Sequence, residues 1–127
     1  MASITQPQIT TFKAGGTIRK YRFVTISSAG TVTECGANGK AIGIAQNSES
    51  VSSGEFVEVA LPGGGAKLEV AEACAVNKFL TSTSVGKGEI VDAAGEYCGA
   101  IAFEAGAADG DVIGVRVVAF TAVASDA

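Results

Sequence analysis

The stretch Gly54-Glu55-Phe56-Val57-Glu58-Val59-Ala60-Leu61 and the stretch Gly110-Asp111-Val112-Ile113-Gly114-Val115-Arg116-Val117 carry one pattern, 56 residues apart. Each opens with glycine and an acid, then places an aliphatic residue at every second position. Val57, Val59 and Leu61 fill those positions in the first stretch, and Ile113, Val115 and Val117 in the second. A period of two puts the aliphatic set on one face of extended chain, so both stretches read as strands with one buried face. The glycine suits a tight turn, and the acid behind it can accept hydrogen bonds from turn amides.

The same spacing recurs outward from these strands. Gly30 falls on Gly86, Gly39 on Gly95 and Gly43 on Gly99, while Phe23 falls on Phe79, Thr25 on Thr81 and Ser28 on Ser84. Glycines alone are weak evidence in a chain with 17 of them; their agreement with the apolar alternation establishes an internal repeat, which fixes the architecture before any single motif does. Strand signals lie near residues 21–26, 31–34, 40–46 and 55–61 in the first unit. In the second they lie near 78–82, 89–92, 97–103 and 111–120. Turn-forming clusters separate them. The best helical candidate, residues 71–76, is only a turn or two long. The expected fold is all-β, a small barrel or sandwich made of two pseudo-symmetric repeats of about 56 residues. Residues 1–12 are expected to form an extended N-terminal arm and 13–120 a single β domain, with repeat one over about 12–62 and repeat two over about 68–118. Residues 121–127 read as a flexible tail. The glycine run 62–65, followed by Ala66 and Lys67, reads as a linker, because a phosphate loop needs a different spacing and a following helix.

Charge is sparse, at 17% of residues against about 25% for an ordinary soluble domain. Such a composition either leaves partly apolar surface that sister subunits or a partner cover, or reflects only the many Ala and Gly, which make no sticky patch. The net charge of −4 speaks against nucleic acid as a partner, since that affinity rests on Lys and Arg neutralising phosphates. The charge is uneven: residues 1–40 hold five bases (Lys13, Arg19, Lys20, Arg22, Lys40) against Glu34, whereas 41–127 hold four bases against twelve acids. No segment has the pattern of a signal peptide, so synthesis in a cytoplasm without disulfides is expected. No apolar run approaches the ~20 residues that span a bilayer, so no membrane partner is expected.

There is no His. That removes the usual general base near neutral pH, the Ser-His and Cys-His pairs, and the commonest nitrogen ligand for metals. Cys35, Cys74 and Cys98 fall on Val91, Ile18 and Ile42 at the repeat spacing, so each reads as a buried hydrophobe. A non-enzymatic protein with no cofactor and no metal is expected. The enzymatic alternative is an inter-subunit carboxylate site, with Glu55 and Asp111 related by the pseudo-symmetry.

Two features suit a binding role. The arm is uncharged and β-prone, with Pro7 in its middle; Ile4, Thr5, Gln6, Gln8, Ile9, Thr10, Thr11 and Phe12 could add a strand to a partner's sheet edge or fold back on their own barrel. Behind it, Arg19, Lys20 and Arg22 flank Tyr21 and Phe23, either as a solvated strand face or as a contact to an acidic partner.

Each unit thus runs from an apolar strand and a glycine turn to a glycine among small apolar residues (Ile42-Gly43-Ile44-Ala45; Cys98-Gly99-Ala100-Ile101), then to glycine, acid and alternating aliphatics. Over about residues 12–118 this resembles the capsid cement, or head decoration, proteins of tailed phages. The resemblance implies a small β-barrel that sits as a homotrimer on the outer surface of the phage head. There such proteins bridge subunits of the major capsid protein and brace the expanded shell. The arm and the basic cluster would then be the capsid-binding elements. The alternative outside the virion is a small-ligand or glycan-binding β module, which would favour exposed aromatics; this chain has no Trp and only Tyr21 and Tyr97.

Overall fold

The alternating segments become strands because extended chain buries one side-chain set and pairs its backbone groups laterally. The computed structural model describes residues 9–126. Ten strands run in order as β1 (Ile9–Lys13), β2 (Phe23–Ile26), β3 (Val32–Glu34), β4 (Gly43–Ala45), β5 (Phe56–Ala60), β6 (Gly65–Glu69), β7 (Phe79–Ser82), β8 (Gly88–Ile90), β9 (Tyr97–Ala102) and β10 (Val112–Thr121). They form two five-stranded antiparallel sheets, ordered β1-β5-β4-β2-β3 and β6-β10-β9-β7-β8, one from each repeat. Parallel bridges from Ala14 to Val32 and from Val70 to Gly88 tie the outer strands of each sheet together. Each sheet thereby rolls into a small barrel. Among the described residues there is no α-helix, only a short 3-10 turn at Ala124–Asp126; the helical candidate at 71–76 is irregular chain.

The cores follow from the alternation. Ala14, Ile18, Val24, Val32, Ala45, Val57 and Val59 fill the first barrel. Their counterparts in the second, among them Val70, Cys74, Leu80, Ala102, Ile113 and Val115, do not stand alone. They form one cluster with Phe23, Ile44 and Ala60, neighbours of Val24, Ala45 and Val59 that point to the opposite face of the first sheet. The outer face of barrel one is therefore buried against barrel two. On barrel two the matching outer residues Val91, Cys98 and Phe79 are covered by Phe120 and Ala122 at the end of the chain. Of the eight aliphatic and aromatic residues that carry the repeat, Phe23, Val57, Val59, Ile113, Val115 and Val117 are buried, and Leu61 and Phe79 half-buried.

Four expectations are corrected. Residues 9–12 are not a free arm: they belong to β1, which pairs with β5 from Ile9↔Ala60 to Lys13↔Phe56. The glycine run is not all linker, since Gly65 starts β6, which pairs with β10 from Arg116↔Gly65 to Val112↔Glu69. These two pairings have the same register 56 residues apart, so β1 lies inside the repeat and β6 is its copy. The tail is partly ordered: Thr121 ends β10, and Ala122 is buried with its N–H donating to the Glu96 carbonyl at 2.7 Å. Finally, Val24 pairs with Gly43 in one repeat but Leu80 with Ala100 in the other. The fourth strand is thus one residue out of step with the ungapped repeat, and Cys98 corresponds to Ala41 rather than Ile42.

Phe23 is fully buried between the barrels. Phe23→Ala should cost about 3–5 kcal/mol in chemical denaturation, and Val115→Asp, which places a charge in the second core, should abolish folding. A Phe23→Ala loss below about 1 kcal/mol, the scale of an ordinary surface substitution, would contradict a joint core.

Candidate functional site

The junction between the repeats is built from residues 21–23, at the entry to β2. Tyr21 adopts a left-handed backbone (φ 59°), unfavourable for a bulky side chain by roughly 1–3 kcal/mol. The turn aims its carbonyl at β6, where the Glu69 N–H donates to it at 2.9 Å. Two residues on, the Phe23 N–H donates to the Gly86 carbonyl at 2.8 Å. Gln46, just past β4, acts as a short strand mimic: its amide donates to the Lys67 carbonyl at 2.8 Å and accepts from the Lys67 N–H at 3.0 Å. The Asn38 N–H donates to the Ser82 carbonyl at 2.8 Å. A side chain at position 99 would come within 2.5 Å of the Phe23 ring, so glycine there is what lets the ring dock.

Arg22 sits inside this junction at 5% exposure. Its Nη1 donates to the Val85 carbonyl at 2.9 Å and its Nη2 lies 3.6 Å from Glu69. Lys87 continues the chain of charges, 3.3 Å from Glu69 and 2.8 Å from Asp109. The bond to Asp109, followed by that to Glu69, outweighs desolvation and raises the Lys87 ammonium above its ordinary value. Arg22 Nε is buried without a hydrogen-bond partner. Removing one half of such a network would leave a buried charge uncompensated, which is costly.

The basic cluster is thus largely committed internally. Arg19 makes a two-pronged contact with Glu34, Nε to Oε2 at 3.0 Å and Nη2 to Oε1 at 2.8 Å, and its backbone N–H donates to the same carboxylate at 2.8 Å. Burial pushes Glu34 up, but these bonds prevail and hold it below the ordinary carboxylate range. Of the three bases expected to contact an acidic partner, Arg22 is buried, Arg19 is exposed but paired with Glu34, and Lys20 is exposed beside Tyr21, its Nζ 5.9 Å from the ring centroid. A cavity of about 400 Å³ here is lined by all three bases together with Ser48, Glu49, Ser50 and Glu69, so its charges nearly balance. Of the arm residues, Ile9, Thr10 and Thr11 are exposed on β1, and Phe12 is half-buried against the first core. Ile4, Thr5, Gln6 and Gln8 lie outside the described residues.

A second, apolar groove of about 390 Å³ lies on barrel two between Pro62, Gly63, Phe79, Ile101, Phe103, Arg116, Val117 and Val118. Glu55 and Asp111 do not converge: each accepts from its own turn, Ser52 N–H at 2.7 Å and Ala107 N–H at 2.8 Å. All three cysteines are buried and free of disulfides, and burial raises the Cys35 thiol. Burial, with Glu72, Glu96 and Asp92 nearby, raises Glu89. Among the described residues, no three metal-ligating side chains gather. The sequence reading missed Gln46, Glu69 and the Val85–Gly86 turn, because nothing in their spacing marks a contact between repeats.

The Arg19–Glu34 pair yields a pH prediction. Its stabilisation should be fully present above the ordinary Glu value of about 4.5 and be lost as pH falls through the lowered folded value. Glu34→Gln should therefore lower stability at pH 7 by up to ~1 kcal/mol, as for a solvent-screened pair, with the deficit vanishing in acid. A deficit that thermal unfolding finds unchanged from neutral pH to acid would contradict this pairing.

No family model and no curated protein matches the chain. Among solved structures, the chain is similar to the crystal structure of the head fiber gp8.5 N base of bacteriophage phi29. The TM-score is 0.69 at 18% identity, over 86% of this chain and 92% of that one. The likeness is one of fold, it spans both barrels, and the protein that shares the fold is a phage head component.

Proposed function

We propose that this chain is a structural protein of a phage virion, which decorates the outer surface of the head by binding the major capsid protein and stabilises the expanded shell. The observation that carries this reading is the fold shared with the phi29 head fiber base over nearly the whole chain. The residues agree with it. Buried and paired charges join the two barrels, and Glu55 and Asp111 each accept a hydrogen bond within their own turn. A homotrimer fits the same picture: Phe56 and Phe103 are 69% and 59% exposed, which suits a surface that other subunits cover. Threefold display lets many weak contacts add through avidity.

The test is co-sedimentation with expanded heads assembled from the major capsid protein of the same genome. Because Arg19 and Arg22 are committed internally, binding should fall only modestly between low and physiological salt. Residues 1–8, part of the proposed capsid-binding segment, precede the described strand β1. Removing them leaves β1 whole and should weaken capsid binding while leaving the unfolding midpoint unchanged. Failure of the intact protein to bind heads would overturn the decoration reading; undiminished binding by the truncated form would remove the segment from it.

A further inference from the structure

The repeat shows what a docking partner for this fold looks like, because the protein docks one on itself. On barrel two the outward backbone of β6 is taken up by barrel one: Lys67 by the Gln46 amide and the Glu69 N–H by the Tyr21 carbonyl, while the Gly86 carbonyl on the adjoining hairpin takes the Phe23 N–H. The matching positions on barrel one are Thr11, Lys13 and Gly30. Thr11 and Lys13 lie on β1, which has β5 on one side and, among the described residues, no strand on the other. The backbone is the same in both places, with φ of 84° at Gly30 and 83° at Gly86. Thr11, Lys13, Ala29 and Gly30 are exposed, and Ile26 is 44% exposed. Among the described residues, barrel one therefore carries an unfilled counterpart of a site that barrel two has filled.

Five substitutions say what would fill it. Glu69, which faces Arg22, becomes Lys13; Lys87 and Asp109, which complete that charge network, become Thr31 and Ser53; Ser82 becomes Ile26; and Gly99, which admits the Phe23 ring, becomes Ile42. The charge preference is inverted and the floor is more apolar. We infer that the β1 edge with the β2–β3 hairpin is a docking site for a loop of another virion protein, one that carries an acidic side chain where this chain has Arg22 and a smaller side chain where it has Phe23, because Ile42 stands where Gly99 admits the ring. Main-chain groups of the loop would bond Lys13 N–H and the Gly30 carbonyl, and its carboxylate would face Lys13. A second copy of this chain fits less well. It would present Lys78 to Lys13, and its Phe79 is already partly covered by Phe120, the ring centroids 5.1 Å apart at 87°. The inference deepens the decoration reading by naming the surface and the chemistry of the partner.

The probe is a synthetic peptide of residues 19–25 carrying Arg22→Glu and Phe23→Ala, compared with the same Phe23→Ala peptide carrying the native Arg. NMR of the full protein should show the Glu peptide shifting Thr11, Lys13 and Gly30, with at least ~10-fold weaker binding of the Arg peptide. Lys13→Glu should reverse that preference, which misfolding would not do. Equal binding of the two peptides, no binding, or shifts confined to other residues would overturn the site. So would self-association that Lys78→Glu tightens, because the occupant would then be a second copy. In parallel, heads are tested with Lys13→Glu. Heads that bind neither form, with the peptide preference intact, count against decoration and leave the site standing. Heads that bind both equally strike the site as the capsid contact and leave decoration standing.

Discussion

Phe23 leaves the first barrel and enters the second, its ring over Gly99 and its backbone N–H on the Gly86 carbonyl. Around it the two cores fuse into one cluster. A barrel of about 56 residues buries only about 60% of the surface its unfolded chain exposes, less than a larger domain does, and is marginal alone. Joining the outer face of one to the other adds several fully buried aliphatic side chains, each worth roughly 1.5–3 kcal/mol. Much else follows from that insertion. Tyr21 accepts a left-handed backbone, Arg22 is drawn into a buried charge network, and Gln46 caps an edge that would otherwise stand open.

The join is head-to-tail rather than two-fold. Residues 21–23 and Gln46 of one repeat meet β6 and the β7–β8 hairpin of the other, and the two sets share no equivalent positions. A heterologous contact leaves one unmatched surface at each end. At the far end the chain covers part of its own, with Phe120 and Ala122 against Phe79, Val91 and Cys98, much as terminal units cap a repeat array. At the near end no described residue covers the β1 edge. The asymmetry also bears on the early bases: Arg22 faces Glu69 of the second repeat and Lys13 stands where that acid would be, whereas Arg19 pairs with Glu34 inside its own repeat.

Much of the fold was legible. Val57, Val59, Ile113 and Val115 announced their strands because a half-buried strand writes its period into the sequence, and all eight strands expected from those signals are present. β1 and β6 escaped because ITTFK and GAKLE share no residue at matching positions; the one legible trace is Phe12 over Leu68, both apolar and both packed into their cores. The fourth strand misled because Gly43 and Gly99 align by eye, while backbone pairing matches Gly43 with Ala100. The candidate site was less legible. Arg19, Lys20 and Arg22 look alike in sequence, yet Glu34 and Glu69, far along the chain, give them different fates. Partnering of that kind is tertiary and leaves no local signal.

Native-state hydrogen exchange tests the quasi-equivalence of the two barrels most directly, because it reads matched amides in one molecule. With Gln46 and Tyr21 in place, the Lys67 and Glu69 amides should exchange slowly, through opening of the junction. In dilute protein the Thr11 and Lys13 amides, at the same register positions of barrel one, should exchange orders of magnitude faster, and should slow when a partner docks. Equal protection at the four positions in the dilute protein would mean that the β1 edge is already filled, and the asymmetric, head-to-tail arrangement would be wrong.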